Sequence, residues 1–164
     1  MSSIPSTLII GFGNPDRQDD GVAWHILTFL ADRFGIPKPQ PPDLDFFPTG
    51  TNPDLFFTLQ LVPELAEQIA GYDRVCFIDA HTGAVAEEIH WQQISPRFQT
   101  SPLTHHLTAE SLLSLSETLY HHTPQSLLVS IRGYEFEFSH TLSSVTATLA
   151  VDAAQRIIAW CLQA

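Results

Sequence analysis

Apolar positions along the chain alternate between short unbroken runs and longer stretches with a 3.6-residue period. Residues 7–12 (TLIIGF) form a continuous apolar run closed by glycine, which predicts a buried strand. From Asp19 to about Phe34, the residues Val22, Ile26, Phe29, Leu30 and Phe34 recur at helical spacing and predict an amphipathic helix. The segment GIPKPQPP (35–42) cannot extend it, because proline has no amide donor and its ring clashes with the preceding turn. Residues 43–53 fit either an edge strand broken at Pro48 or irregular chain, so 35–53 reads as a Pro-rich loop or edge segment.

The same alternation continues to the last residues. LFFTLQ (55–60) reads as strand and PELAEQIAGY (63–72) as helix, with Pro63 in its first turn. RVCFIDA (74–80) is the clearest buried strand, and EIHWQQI (88–94) is another, stopped by Ser95-Pro96. Residues 107–122 predict a helix with Thr108 as N-cap and Leu107 as its hydrophobic staple. SLLVSIRG (126–133) is the last strand, and residues 144–163 form a closing helix. This order predicts an α/β fold: a three-layer single domain over 1–164, with a twisted, mostly parallel sheet of about five strands and helices on both faces.

Composition narrows the partners. With seven Lys plus Arg and a formal net charge of −11, the chain offers no basic stripe for a phosphate backbone, so nucleic acid is excluded as a partner. No apolar run reaches the roughly 18 residues of a membrane span, and the first residues lack a basic segment of the signal-peptide kind. Cys76 and Cys161 lie far apart in a strand and a helix and read as buried free thiols, which fits a cytoplasmic protein. Nothing in the pattern signals self-association, and a monomer is the default expectation.

In parallel sheets the functional crevice lies beyond the carboxyl ends of the strands. The first strand delivers Asn14, Asp16, Asp19 and Asp20 to that end, the strand 74–80 delivers Asp79, and the chain after 88–94 delivers Thr104, His105 and His106 before a helix. Two carboxylates and an imidazole suit a divalent metal with open coordination positions, without choosing between nickel and zinc. Structural readings compete: Asp19 and Asp20 also suit the positive end of a helix dipole, and His121-His122 suits the negative end of one. Aromatic residues Phe12, Trp24, Tyr134 and Phe136 fit either a docking rim or the core. No G-x-S-x-G elbow, H-E-x-x-H or C-x-x-C is present. The stretch GFGNPDRQDDG (11–21) lacks both the Gly-Lys-Ser/Thr ending of a Walker loop and the third glycine of a dinucleotide loop, where Asp16 would repel a pyrophosphate.

These blocks resemble the hydrogenase maturation endopeptidases, which process the large subunit of [NiFe] hydrogenases. The family pattern G-x-G-N, four residues, then D-[DE]-G matches Gly11, Gly13, Asn14, Asp19, Asp20 and Gly21. VCFIDA resembles its second block and THHLTAESLL its third, and the blocks fall in family order over nearly the whole chain. The chain departs from the family at Ala23, where a second glycine is usual, at GAVAEEI after the second block, and across 35–53. DAHTG and HHLT resemble the processors of bidirectional, NAD(P)-linked hydrogenases.

The resemblance implies an endopeptidase that removes a C-terminal extension from the large-subunit precursor after nickel insertion. It implies that Asp20, Asp79 and His105 contact the nickel supplied by that substrate, with His105 preferred to His106 because Leu112-Leu113 then falls at the family spacing. A bound metal could polarise the scissile carbonyl or activate a water, and a carboxylate outside the ligand set, such as Asp19, could act as general base. Two other functions are compatible with the same residues. One is a non-catalytic nickel-handling or hydrogenase-docking maturation factor, and the other a metal-dependent hydrolase of small amides.

Overall fold

The computed structural model describes residues 3–39, 50–98 and 106–164. Five strands form one sheet in the order β2-β1-β3-β5-β4, where β1 is Thr7–Phe12, β2 Asp54–Thr58, β3 Arg74–His81, β4 Ile89–Ile94 and β5 Gln125–Arg132. The first four in that order are parallel, and β4 runs antiparallel along the edge of β5. Burial explains the difference in composition: β1 and the first five residues of β3 are almost wholly enclosed, whereas β4 is half exposed at the edge.

Two cores flank the sheet. On one face α1 (Val22–Phe34) and α4 (Ser144–Cys161) cover Ile9, Cys76, Ile78, Leu127, Val129 and Ile131. On the other, α2 (Leu65–Ile69) and α3 (Ala109–Tyr120) cover Leu8, Ile10, Val75 and Phe77. Alternate residues of each strand therefore serve alternate layers. Arg74 ties the sheet to the end of α4: its Nη atoms donate to the carbonyls of Trp160, Cys161 and Gln163, and its Nε donates to the Thr7 hydroxyl. A guanidinium at a helix C-terminus both fills unpaired carbonyls and complements the dipole.

The elements follow the hydrophobic pattern with three differences. The helix expected over 63–72 shrinks to Leu65–Ile69, because hydrogen-bonded turns occupy the flanking residues on both sides. The first helix begins as a 3-10 turn over Gln18–Gly21 before α1 proper. The strand expected over 55–60 runs instead over Asp54–Thr58. Thr108 caps α3 as expected, its hydroxyl accepting from the Ser111 amide at 3.1 Å. The segment 40–49, within the ambiguous Pro-rich region, lies outside the described residues.

Candidate functional site

Strand β1 pairs with β2 on one side and β3 on the other, so the chain reverses its direction of winding there. The crevice at such a switch point is where α/β sheets place their ligands. Gly13, immediately after β1, has a φ of +140°, and a side chain on it would stand 2.2 Å from the Asp20 carbonyl oxygen. The acid loop thus folds tightly back over the strand end, and only glycine permits it. Within the loop the Asn14 amide donates to Asp20 Oδ2 at 3.0 Å, and the Asp16 amide donates to Asn14 Oδ1 at 2.9 Å. Asp20 is half-buried and faces the end of the sheet that β3 also reaches.

Strand β3 carries Asp79 to the same end. Its Oδ1 is shielded from solvent and has no hydrogen-bond partner among the described residues. Burial pushes its carboxyl up to about 6, the Ser130 hydroxyl opposes this, and the nearby charges of Asp20 and Glu110 add to it. Asp79 opens onto a cleft of about 260 Å³, bounded by Phe12 and Leu128 and by the first turn of α3 with Glu110 and Thr108. An unsatisfied carboxylate oxygen in an accessible cleft is what a site awaiting a metal or a donor group looks like.

His106 lines the cleft with Asp79, whereas His105 lies outside the described residues. Among the described residues no three His, Cys, Asp or Glu side chains are grouped closely enough to hold a metal. The structure therefore brings Asp20 and Asp79 to one end of the sheet, with His106 on the cleft that Asp79 lines.

Asp19 is a correction. Its side chain is fully buried, with 0% exposure, and points away from the cleft into the chain between β5 and α4. Oδ2 accepts from the Tyr134 and Glu135 amides and from the Ser143 and Thr146 hydroxyls, and Oδ1 accepts from the Ser143 amide. Burial alone would raise its pKa, but these donors overrule it and hold the carboxyl down at about 2. A carboxylate so saturated cannot serve as a general base. It is the bolt that fixes the acid loop to the segment 133–146.

Other histidines acquire partners that the pattern does not reveal. His140 Nε2 lies 2.6 Å from Asp16 Oδ1, and His90 sits against Gln92 and Glu87. The His81 ring is engaged by the Glu87 carbonyl and the Gly83 amide, so it is not free as a ligand. Glu110 and Ser130 are residues at the site that the motif reading passes over. For Ser130 the signal is the alternation of β5, which puts Leu128, Ser130 and Arg132 on the Asp79 face, whereas Glu110 lies in the first turn of α3 and carries no such mark.

No family model matches the sequence, and no curated protein matches it. Solved structures do match in three dimensions. The hydrogenase maturating endopeptidase HybD from E. coli superposes with a TM-score of 0.67 at 16% identity, over 94% of this chain and 90% of that one. The [NiFe] hydrogenase maturation protease HybD from Thermococcus kodakarensis gives 0.65 at 16% identity, over 95% and 99%. The maturation protease HycI from Thermococcus kodakarensis KOD1 gives 0.63 at 18% identity, over 96% and 92%. With nearly full coverage on both sides, the chain has the fold of the [NiFe] hydrogenase maturation proteases.

Proposed function

We propose that this protein is an endopeptidase that removes the C-terminal extension of a [NiFe] hydrogenase large-subunit precursor after nickel insertion. The carrying observation is the unsatisfied, cleft-facing Asp79 at the end of β3, beside Asp20 from the glycine turn, on a fold shared end to end with maturation proteases. Nickel arrives as part of the substrate. Asp20, Asp79 and a histidine of the His105-His106 pair complete its coordination, His105 by the family spacing and His106 by its place in the cleft. Carboxylate and imidazole donors suit nickel well. Docking through the metal holds the scissile peptide at the cleft, which explains how one bond is selected in a chain that has no G-x-S-x-G elbow.

The test is to incubate the purified precursor, nickel-loaded or nickel-free, with the protein and to weigh the large subunit. Loss of the extension only when nickel is loaded is the expected result. Unchanged mass in both cases refutes the protease reading, and tight binding without mass loss identifies a non-catalytic maturation factor. Asp20→Asn removes a ligand without altering the backbone and abolishes clipping. Separate His105→Ala and His106→Ala variants decide the third ligand.

A further inference from the structure

If Asp20 and Asp79 hold the nickel of the substrate, their lone pairs are committed, and hydrolysis still needs a group to take a proton from water. Asp19 cannot do it, because its oxygens are saturated by the donors of residues 134–146. Glu110 stands near enough to Asp79 for its charge to reach that carboxyl. It belongs to the first turn of α3 and walls the same cleft as Asp79.

The backbone of Glu110 is fixed while its carboxylate is unused. Its carbonyl accepts from the Arg97 amide at 3.0 Å and from the Ser114 hydroxyl at 3.2 Å. The Ser111 hydroxyl donates in turn to the Arg97 carbonyl at 3.3 Å, so two bonds strap this turn to the chain beyond β4. The half-buried Glu110 carboxylate makes no hydrogen bond and no ion pair among the described residues, and its oxygens stay open to solvent. Other acids of the surrounding connections are engaged: Asp16 by the His140 ring, Asp20 by the Asn14 amide and Glu88 by the Tyr134 hydroxyl. An acid in a first turn suits the helix dipole at any position around the axis, but this one also walls the cleft. A free carboxylate on a fixed backbone, within reach of water, is what a general base requires.

We propose that Glu110 is the general base of peptide hydrolysis in this cleft, taking a proton from the water that attacks the scissile carbonyl. This rests on the protease reading above. The water oxygen bonds to the carbonyl carbon as one of its protons passes to the Glu110 carboxylate. The carbon–nitrogen bond then breaks, and Glu110 returns that proton to the departing nitrogen. The products are a new C-terminal carboxyl group, which ionises in solvent, and a free amine on the released extension. Glu110 ends as it began, a carboxylate. Three acids thus divide the work: Asp20 and Asp79 position the substrate through its nickel, and Glu110 moves the proton. His106, exposed and on the same cleft, is the rival acceptor.

The experiment compares two variants with wild type on nickel-loaded precursor. Glu110→Gln keeps the shape and helix propensity of the side chain, and its kcat should fall about a hundred- to ten-thousandfold with KM nearly unchanged. Its affinity for the loaded precursor, read by titration calorimetry, should equal that of wild type. In Glu110→Ala, added formate should restore part of kcat, because a small carboxylate fits the space that the side chain leaves; a misfolded variant would not respond. A kcat within threefold of wild type in Glu110→Gln overturns the proposal and passes the role to His106. Lost affinity in Glu110→Gln overturns it too, by making Glu110 a nickel ligand or a docking group, and so does Glu110→Ala that formate cannot restore. These results leave the protease reading standing as long as wild type cleaves. If wild type leaves the loaded precursor intact, the protease reading itself fails, and the assignment of a base falls with it.

Discussion

Asp19 and Ser143 are joined twice: the Ser143 amide donates to Oδ1 at 2.8 Å and its hydroxyl to Oδ2 at 2.6 Å. The same Ser143 hydroxyl caps α4, lying 3.4 Å from the Thr146 amide. One buried carboxylate thus ties the acid loop, the end of β5 and the start of α4 into one unit. Asp19→Asn replaces an acceptor oxygen by an amide NH2 group facing donors, and leaves buried N–H or O–H groups unpaired. The expected loss is about 2–4 kcal/mol, read as a lower urea midpoint at pH 7.

The same residue gives the fold an acid limit. The Asp19 pKa is depressed to about 2 from an ordinary 3.8, so the native state binds fewer protons than the unfolded state between those values. Its stabilisation is complete above about pH 4 and is lost as the pH falls towards 2, by up to about 2 kcal/mol. Unfolding followed from pH 5 to pH 2 should show a fall in wild type that is shallower in Asp19→Asn.

Asp79 works in the opposite direction. Burial raises its carboxyl to about 6, so the folded state holds the proton more tightly than the unfolded one. Its ionisation therefore costs stability as pH rises from about 4 to 6, and the cost is constant above that. Asp79→Asn removes the charge and should raise the metal-free melting temperature at pH 7.5, with no gain at pH 4. Equal melting temperatures at pH 7.5 would mean that the carboxylate is not strained by burial. A residue that weakens its own fold while opening onto a cleft is the usual mark of a functional group.

The layers of the fold were legible because the chain obeys its periods: apolar runs became β1 and β3, and 3.6-residue spacing became α1, α3 and α4. The strand-end rule likewise led to Asp20 and Asp79. What the pattern did not reveal were the partnerships across long separations. Nothing local distinguishes Asp19 from Asp20, since both are acids entering a helix. Only the return of Tyr134, Ser143 and Thr146 to the same place makes one a bolt and leaves the other near Asp79.

The two cysteines lie in the same core layer, Cys76 on β3 and Cys161 at the end of α4. Burial pushes the Cys161 thiol up to about 12 and the Cys76 thiol well above its usual range. Since the thiolate is the reactive form, neither should be modified by a thiol reagent at pH 8 in the native state. Both should be modified in denaturant, giving two equivalents per chain. Labelling of the folded protein would show that α4 opens locally.

Gly13 offers the most direct test that the backbone turn, and not only its acids, makes the site. Gly13→Ala must place a methyl where the Asp20 carbonyl oxygen stands, in a conformation that alanine adopts only with strain. The close contact is with backbone, so no side-chain rotation can relieve it. The loop must move, and the Asp20 carboxylate loses the alignment that its bond from the Asn14 amide provides. The sheet and both cores do not depend on that contact, so the variant should keep the wild-type far-ultraviolet circular dichroism spectrum. Cleavage of nickel-loaded precursor should fall at least as far as about a hundredfold, the scale expected when a reacting group is misplaced by about 1 Å. A folded Gly13→Ala protein with wild-type kcat and KM would show that Asp20 does not need its position at the end of β1.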